Sequence, residues 1–119
     1  MDKNWKAFER RVAKKCGGTR ISVSDRKTDL DVDHPHMGIE CKYRNKLPQY
    51  LKDWYSQAER GSTEDQIPVV VMTEKSNSKM YALINFDDLA DMVAILSYYD
   101  EKELKEAVNK EDFNYGGTG

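Results

Sequence analysis

The period of apolar positions changes several times along the 119 residues. Over residues 3–15, Trp5, Phe8 and Val12 recur at helical spacing. Asp2 stands where an N-cap belongs and Gly17-Gly18 supplies a stop, which together predict a helix. The next segment, "TRISVSD" (19–25), alternates around Ile21 and Val23. Residues 28–33 and 37–43 alternate again through Leu30, Val32, Ile39, Cys41 and Tyr43. Three strands are expected there. Pro48 suits a first helical position, and Leu47, Leu51, Trp54 and Ala58 form an apolar stripe ending at Gly61. The continuous apolar run "IPVVVMTE" (67–74) suits a strand covered on both faces, and "KMYALINF" predicts another strand. Asp87 or Asp88 then opens a helix through Leu89, Met92, Val93 and Leu96. The last stretch, "DEKELKEAVNKEDFNYGGTG", reads as a charged helix with a frayed Gly-rich end.

The expected order is therefore αβββαββα: one α/β domain with a central mixed five-stranded sheet flanked by helices. The domain is expected over 1–99, with an acidic helix or tail over 100–119. The helix between the third and fourth strands permits a parallel crossover. No stretch resembles a signal peptide or membrane span, so the chain is expected to be cytoplasmic. Cys16 and Cys41 have no paired spacing and are expected as reduced thiols. The net charge of −2 hides an asymmetry. Residues 1–60 hold 14 Lys and Arg, including all six arginines, against 9 Asp and Glu; residues 61–119 hold 5 against 12. A basic half of that kind can mark a polyanion partner.

Candidate chemistry lies in "DLDVDHPHMGIECKYR" (29–44). Alternation puts Leu30 and Val32 on one face and Asp29, Asp31 and Asp33 on the other. On the returning strand, Ile39 and Cys41 oppose Glu40 and Lys42. A two-residue His34-Pro35 turn would set Asp29 against Glu40, but the favoured primed turns disallow Pro there. A four-residue loop, His34 to Met37, instead sets Asp31 against Glu40 and Asp29 against Lys42. Paired carboxylates on adjacent strands make a hard oxygen site for Mg²⁺ or Mn²⁺, and a lysine beside them can orient a water or offset charge on a phosphate. Arg20, Arg26, Lys27, Arg44 and Lys46 flank this site and could hold phosphates, with Ser22 and Ser24 as further backbone contacts. Zinc held by His34, His36 and Cys41 is disfavoured, because Cys41 projects to the opposite face and no fourth ligand has suitable spacing. Tyr50 and Trp54 are expected to pack on a helix face.

The run "DVDHPHMGIECKYRNKLPQYLKDWYSQAE" resembles the core of the PD-(D/E)xK nuclease superfamily, and most of all its small phage and archaeal Holliday junction resolvase-like members. The resemblance spans about residues 5–96. It implies a restriction-endonuclease-like core and Mg²⁺-dependent hydrolysis of phosphodiesters in branched DNA, leaving a 5′ phosphate. Asp31 (or Asp29) and Glu40 would bind the metal, the Cys41 backbone carbonyl would add a ligand, and Lys42 would assist the attacking water. Glu9, in the first helix, would join the site as a further ligand, and Gln57 would support it. Symmetric cutting of a junction implies a homodimer, a reading to which the apolar Met92, Tyr98 and Tyr99 also lend themselves. The alternatives are a nicking or otherwise structure-specific nuclease, or a DNA-binding protein of the same fold without catalysis.

Overall fold

The computed structural model describes residues 4–22, 24 and 29–114, of which 110–114 are described for the backbone alone. The order is α1 (Asn4–Cys16), β1 (Thr19–Arg20), β2 (Val32–His34), β3 (Met37–Ile39), α2 (Gln49–Gly61), β4 (Val69–Met72), β5 (Tyr81–Ile84) and α3 (Phe86–Asn114). The chain is thus mixed α/β with three helices, in the sequence of elements the periodicities indicate. Asp2, Val23, Arg26, Lys27 and the Gly-rich end lie outside the described residues.

α1 ends where glycine is needed. Gly17 is left-handed (φ 72°), and the Gly18 N–H returns to the Ala13 carbonyl at 2.9 Å, closing a Schellman-type cap. A Cβ on Gly18 would lie 2.7 Å from the Asp33 carbonyl oxygen and 2.9 Å from Val32 Cγ1. The bare backbone therefore lets the end of α1 rest directly on β2. The core forms at this crossing. Val32 is fully buried against Val12 and Ala13, with Phe8, Cys16, Ile39, Cys41 and Phe86 packed around them.

Among the described residues the strands form two antiparallel sheets, β1-β2-β3 and β4-β5, and not the expected single mixed sheet of five. Each sheet has its own helix: α1 packs on β1 and β2, and α2 packs on β4. The hydrogen bonds of β4 run to β5 in an ordinary hairpin (Val69↔Ile84 to Met72↔Tyr81), and among the described residues β4 has no parallel partner. The run over 67–74 is also covered on one face only. Val69 and Val71 are 44% and 64% exposed, while Val70 and Met72 alternate inward. A continuous apolar run does not distinguish these two situations, because both leave every position apolar.

Helix starts differ by a residue or two from expectation. Pro48 is the N-cap of α2, not its first helical residue. Asn85 caps α3: its Oδ1 accepts the Asp87 and Asp88 N–H groups at 2.8 and 3.4 Å. The two aspartates lie in the first turn, where the helix dipole favours negative charge. α3 then runs without a break to Asn114, so the charged segment after residue 99 continues the same helix. No helix among the described residues is long and apolar enough to cross a membrane.

Candidate active site

The hairpin that carries the acidic residues pairs Val32 with Ile39, Asp33 with Gly38 and His34 with Met37. This is the expected register as far as Val32 and Ile39; carried one pair further it would set Asp31 against Glu40. The tip is tighter than the expected four-residue loop, because His34 and Met37 still pair and only Pro35 and His36 turn. Neither has a positive φ, which excludes the primed turns and fits Pro at the first corner of a type I turn. The His36 N–H donates to His34 Nδ1 at 3.0 Å and closes it.

Beyond Val32 the ladder departs from simple pairing. The Asp31 N–H donates to the Ile39 carbonyl at 2.8 Å, so Asp31 and Val32 both face Ile39, as in a β-bulge. The Asp31 carbonyl accepts the Ile21 N–H at 2.9 Å, which ties the bulge to the chain leaving β1. The bulge re-aims the side chain. Asp31 Oδ2 accepts the Cys41 N–H at 2.6 Å, and the residue is only 6% exposed. Glu9, one turn after Trp5 on α1, is 5% exposed, and its Oε1 accepts from Arg20 Nε at 2.9 Å.

These groups line one open cleft: Trp5, Glu9, Asp29, Asp31, Glu40, Cys41, Lys42, Tyr43 and Arg44. Glu40 and Lys42, two residues apart on one face, form an ion pair at 2.8 Å and are both more than half exposed. Cys41 between them turns inward to the core, as alternation requires. Among the described residues no three His, Cys, Asp or Glu side chains stand close enough to hold a metal ion. Glu9, held by the Arg20 guanidinium, and Asp31 are two buried carboxylates lining one cleft, with Glu40 more exposed beside them. In donor chemistry that set fits a divalent, oxygen-preferring cation.

Several expected participants lie elsewhere. Gln57 is exposed on α2 and does not line the cleft. Lys46 is exposed in the segment before α2, whereas Arg44 does line the cleft, its guanidinium donating to the Tyr43 carbonyl at 3.2 Å. Ser22 and Ser24 hydrogen-bond each other through their hydroxyls at 3.2 Å. Arg20 is turned towards Glu9 and lies 6.0 Å from the Trp5 ring centroid. His36 pairs with Asp100 on α3 at 3.2 Å. Tyr50 and Trp54 contact each other but are 56% and 43% exposed, so the expected packing of this face is not formed. The sequence reading missed two lining residues, Trp5 and Tyr43. Helical spacing held the signal for the first, since a Glu9 that faces the cleft brings Trp5, four residues earlier, to the same side.

No protein-family model, curated protein or solved structure matches the chain.

Proposed function

We propose that the protein is a Mg²⁺-dependent endodeoxyribonuclease acting on branched DNA such as a Holliday junction. The observation that supports the reading is the meeting of two buried carboxylates, Glu9 and Asp31, with Glu40 and Lys42 in one open cleft. Carboxylates gathered in one cleft suit a divalent, oxygen-preferring cation, which would add to the positive charge that Arg20 brings to Glu9. Asp31, Glu40 and the Cys41 carbonyl would hold it, with Glu9 at its edge and Asp29 as the alternative to Asp31. The bound metal would supply an activated water at neutral pH. Lys42 would orient that water or meet the charge developing on the phosphate, and Arg44 and Lys46 would hold the flanking backbone. A restriction-endonuclease-like core would have one mixed sheet, whereas the described strands form two antiparallel sheets, so the reading rests on the cleft and not on the sheet.

One observation favours a second reading, a DNA-binding protein of the same fold without catalysis. Asp31, Glu9 and Glu40 each already have a partner, and among the described residues no three ligands converge. Incubation with junction, flap and linear DNA, with and without metal, separates the two. The nuclease reading expects cleavage of branched DNA with Mg²⁺ or Mn²⁺, and binding without turnover in Ca²⁺, whose looser geometry activates water poorly. Cleavage without metal, or none with any DNA and ion, would sink it. Cleavage of nicked or linear DNA in preference to junctions would leave a nuclease with a different substrate.

A further inference from the structure

Trp5 and Tyr43 have no part in the chemistry proposed for the cleft, yet both line it. Each ends a stripe that begins in the core. Trp5, Phe8 and Val12 share one face of α1, where Val12 is 7% exposed and Trp5 is 37% exposed. On the other wall Ile39, Cys41 and Tyr43 stand at alternate positions. The first two pack on the core, and Tyr43 is 42% exposed. The rings of Phe8 and Tyr43 join the two stripes, with centroids 5.6 Å apart and planes tilted by 45°. The core thus runs out into the cleft as an aromatic ledge. Cations stand beside it. Lys6 Nζ lies 5.5 Å from the Trp5 ring centroid and the Arg20 guanidinium 6.0 Å from it, while Lys42 and Arg44 line the same cleft.

We propose that Trp5 and Tyr43 form a stacking platform for an unpaired nucleobase of the DNA strand that enters the cleft. The inference rests on the reading of the cleft as a DNA site, and not on catalysis. Aromatic faces flanked by cations are what a single strand engages: the base stacks on a ring while its phosphates meet the charge. A base inside a duplex is stacked on its neighbours and offers no free face, so the platform selects unpaired bases at a branch point, flap or end. Stacking has a particular use here. Glu9, Asp29, Asp31 and Glu40 line the cleft beside Lys42 and Arg44, and their charge opposes the attraction for phosphate where the strand has to lie. Aromatic contact supplies affinity that does not depend on that balance.

Trp5 and Trp54 are the two tryptophans of the chain, so Trp54→Phe leaves Trp5 as the single indole reporter. In EDTA, where no metal supports cleavage, an oligothymidylate strand is expected to quench its fluorescence. A fully abasic strand of the same length keeps the phosphates, and should bind about tenfold more weakly or worse, without quenching. Trp5→Leu should weaken binding of the thymidylate strand by about tenfold and leave its salt slope unchanged, since stacking releases no counterions. Trp5→Phe should recover most of the loss, and Tyr43→Leu and Tyr43→Phe should repeat the contrast. Equal binding of the thymidylate and abasic strands by the unsubstituted protein would overturn the proposal, whatever the variants do. So would an unquenched Trp5, or a folded Trp5→Leu that binds the thymidylate strand as tightly as the wild type. Stacking without cleavage of any DNA would keep the platform and remove the nuclease; cleavage with equal binding of the two strands would do the reverse.

Discussion

Asp31 has a structural task in the fold, to which the proposed nuclease function would add a chemical one. Its Oδ2 accepts the Cys41 N–H at 2.6 Å, fastening the two sides of the hairpin where the ladder ends. Asparagine can supply the same acceptor without the charge. Asp31→Asn is therefore expected to change stability by no more than about 1 kcal/mol while abolishing metal-dependent cleavage, with DNA binding kept or tightened. Glu40→Gln should behave likewise, and Asp29→Asn should retain measurable activity. Loss of cleavage in Asp29→Asn with activity kept in Asp31→Asn would move the metal to Asp29. Arg20 offers a separate check. Arg20→Ala leaves Glu9 buried without its guanidinium and should cost on the order of 3 kcal/mol, read as a lower urea midpoint with unchanged slope.

At the scale of elements, the site depends on how closely α1 approaches the first sheet. The Gly17-Gly18 cap lets the chain reverse from α1 into β1, and its second glycine touches the backbone of β2. Gly18→Ala would drive a methyl group to 2.7 Å from the Asp33 carbonyl oxygen, which is backbone and yields little. The expected cost is about 1–3 kcal/mol, seen as a lower melting temperature. Because the same shift would separate Glu9 from Arg20 and Asp31, cleavage should fall even below the melting transition. The Lys15–Asp87 pair that joins α1 to the start of α3 is exposed at both ends and contributes little by comparison.

At the scale of the molecule, charge is separated along the chain: the cleft is built from the basic half, and α3 carries much of the acidic half. If the proposed nuclease reading holds, DNA affinity should fall steeply with salt, as phosphate contacts release counterions. Replacing Arg44 and Lys46 by Ala is expected to weaken binding of junction and duplex alike and to reduce the salt slope by about one for each residue that touches phosphate. A titration at several salt concentrations with unchanged slope would remove both residues from the DNA contact.

Local periodicity by itself determined the order of helices and strands, the inward Ile39 and Cys41, and the outward Glu40 and Lys42, because side-chain direction follows from backbone repeat alone. Turn chemistry at Pro35 favoured the register in which Val32 pairs with Ile39. The tertiary structure decided what depends on partners distant in sequence. The bulge at Asp31 arises from the exit of β1 and from the Cys41 N–H, and neither leaves a mark in the alternation. The burial of Glu9 needs Arg20, eleven residues on, to turn back onto α1. The division of five strands into two sheets, and the exposure of Val71, Trp54 and Ile95, depend on which surfaces other elements cover. An apolar side chain has the same signature in a sequence whether its neighbour belongs to its own chain or to another molecule, and only packing tells the two apart.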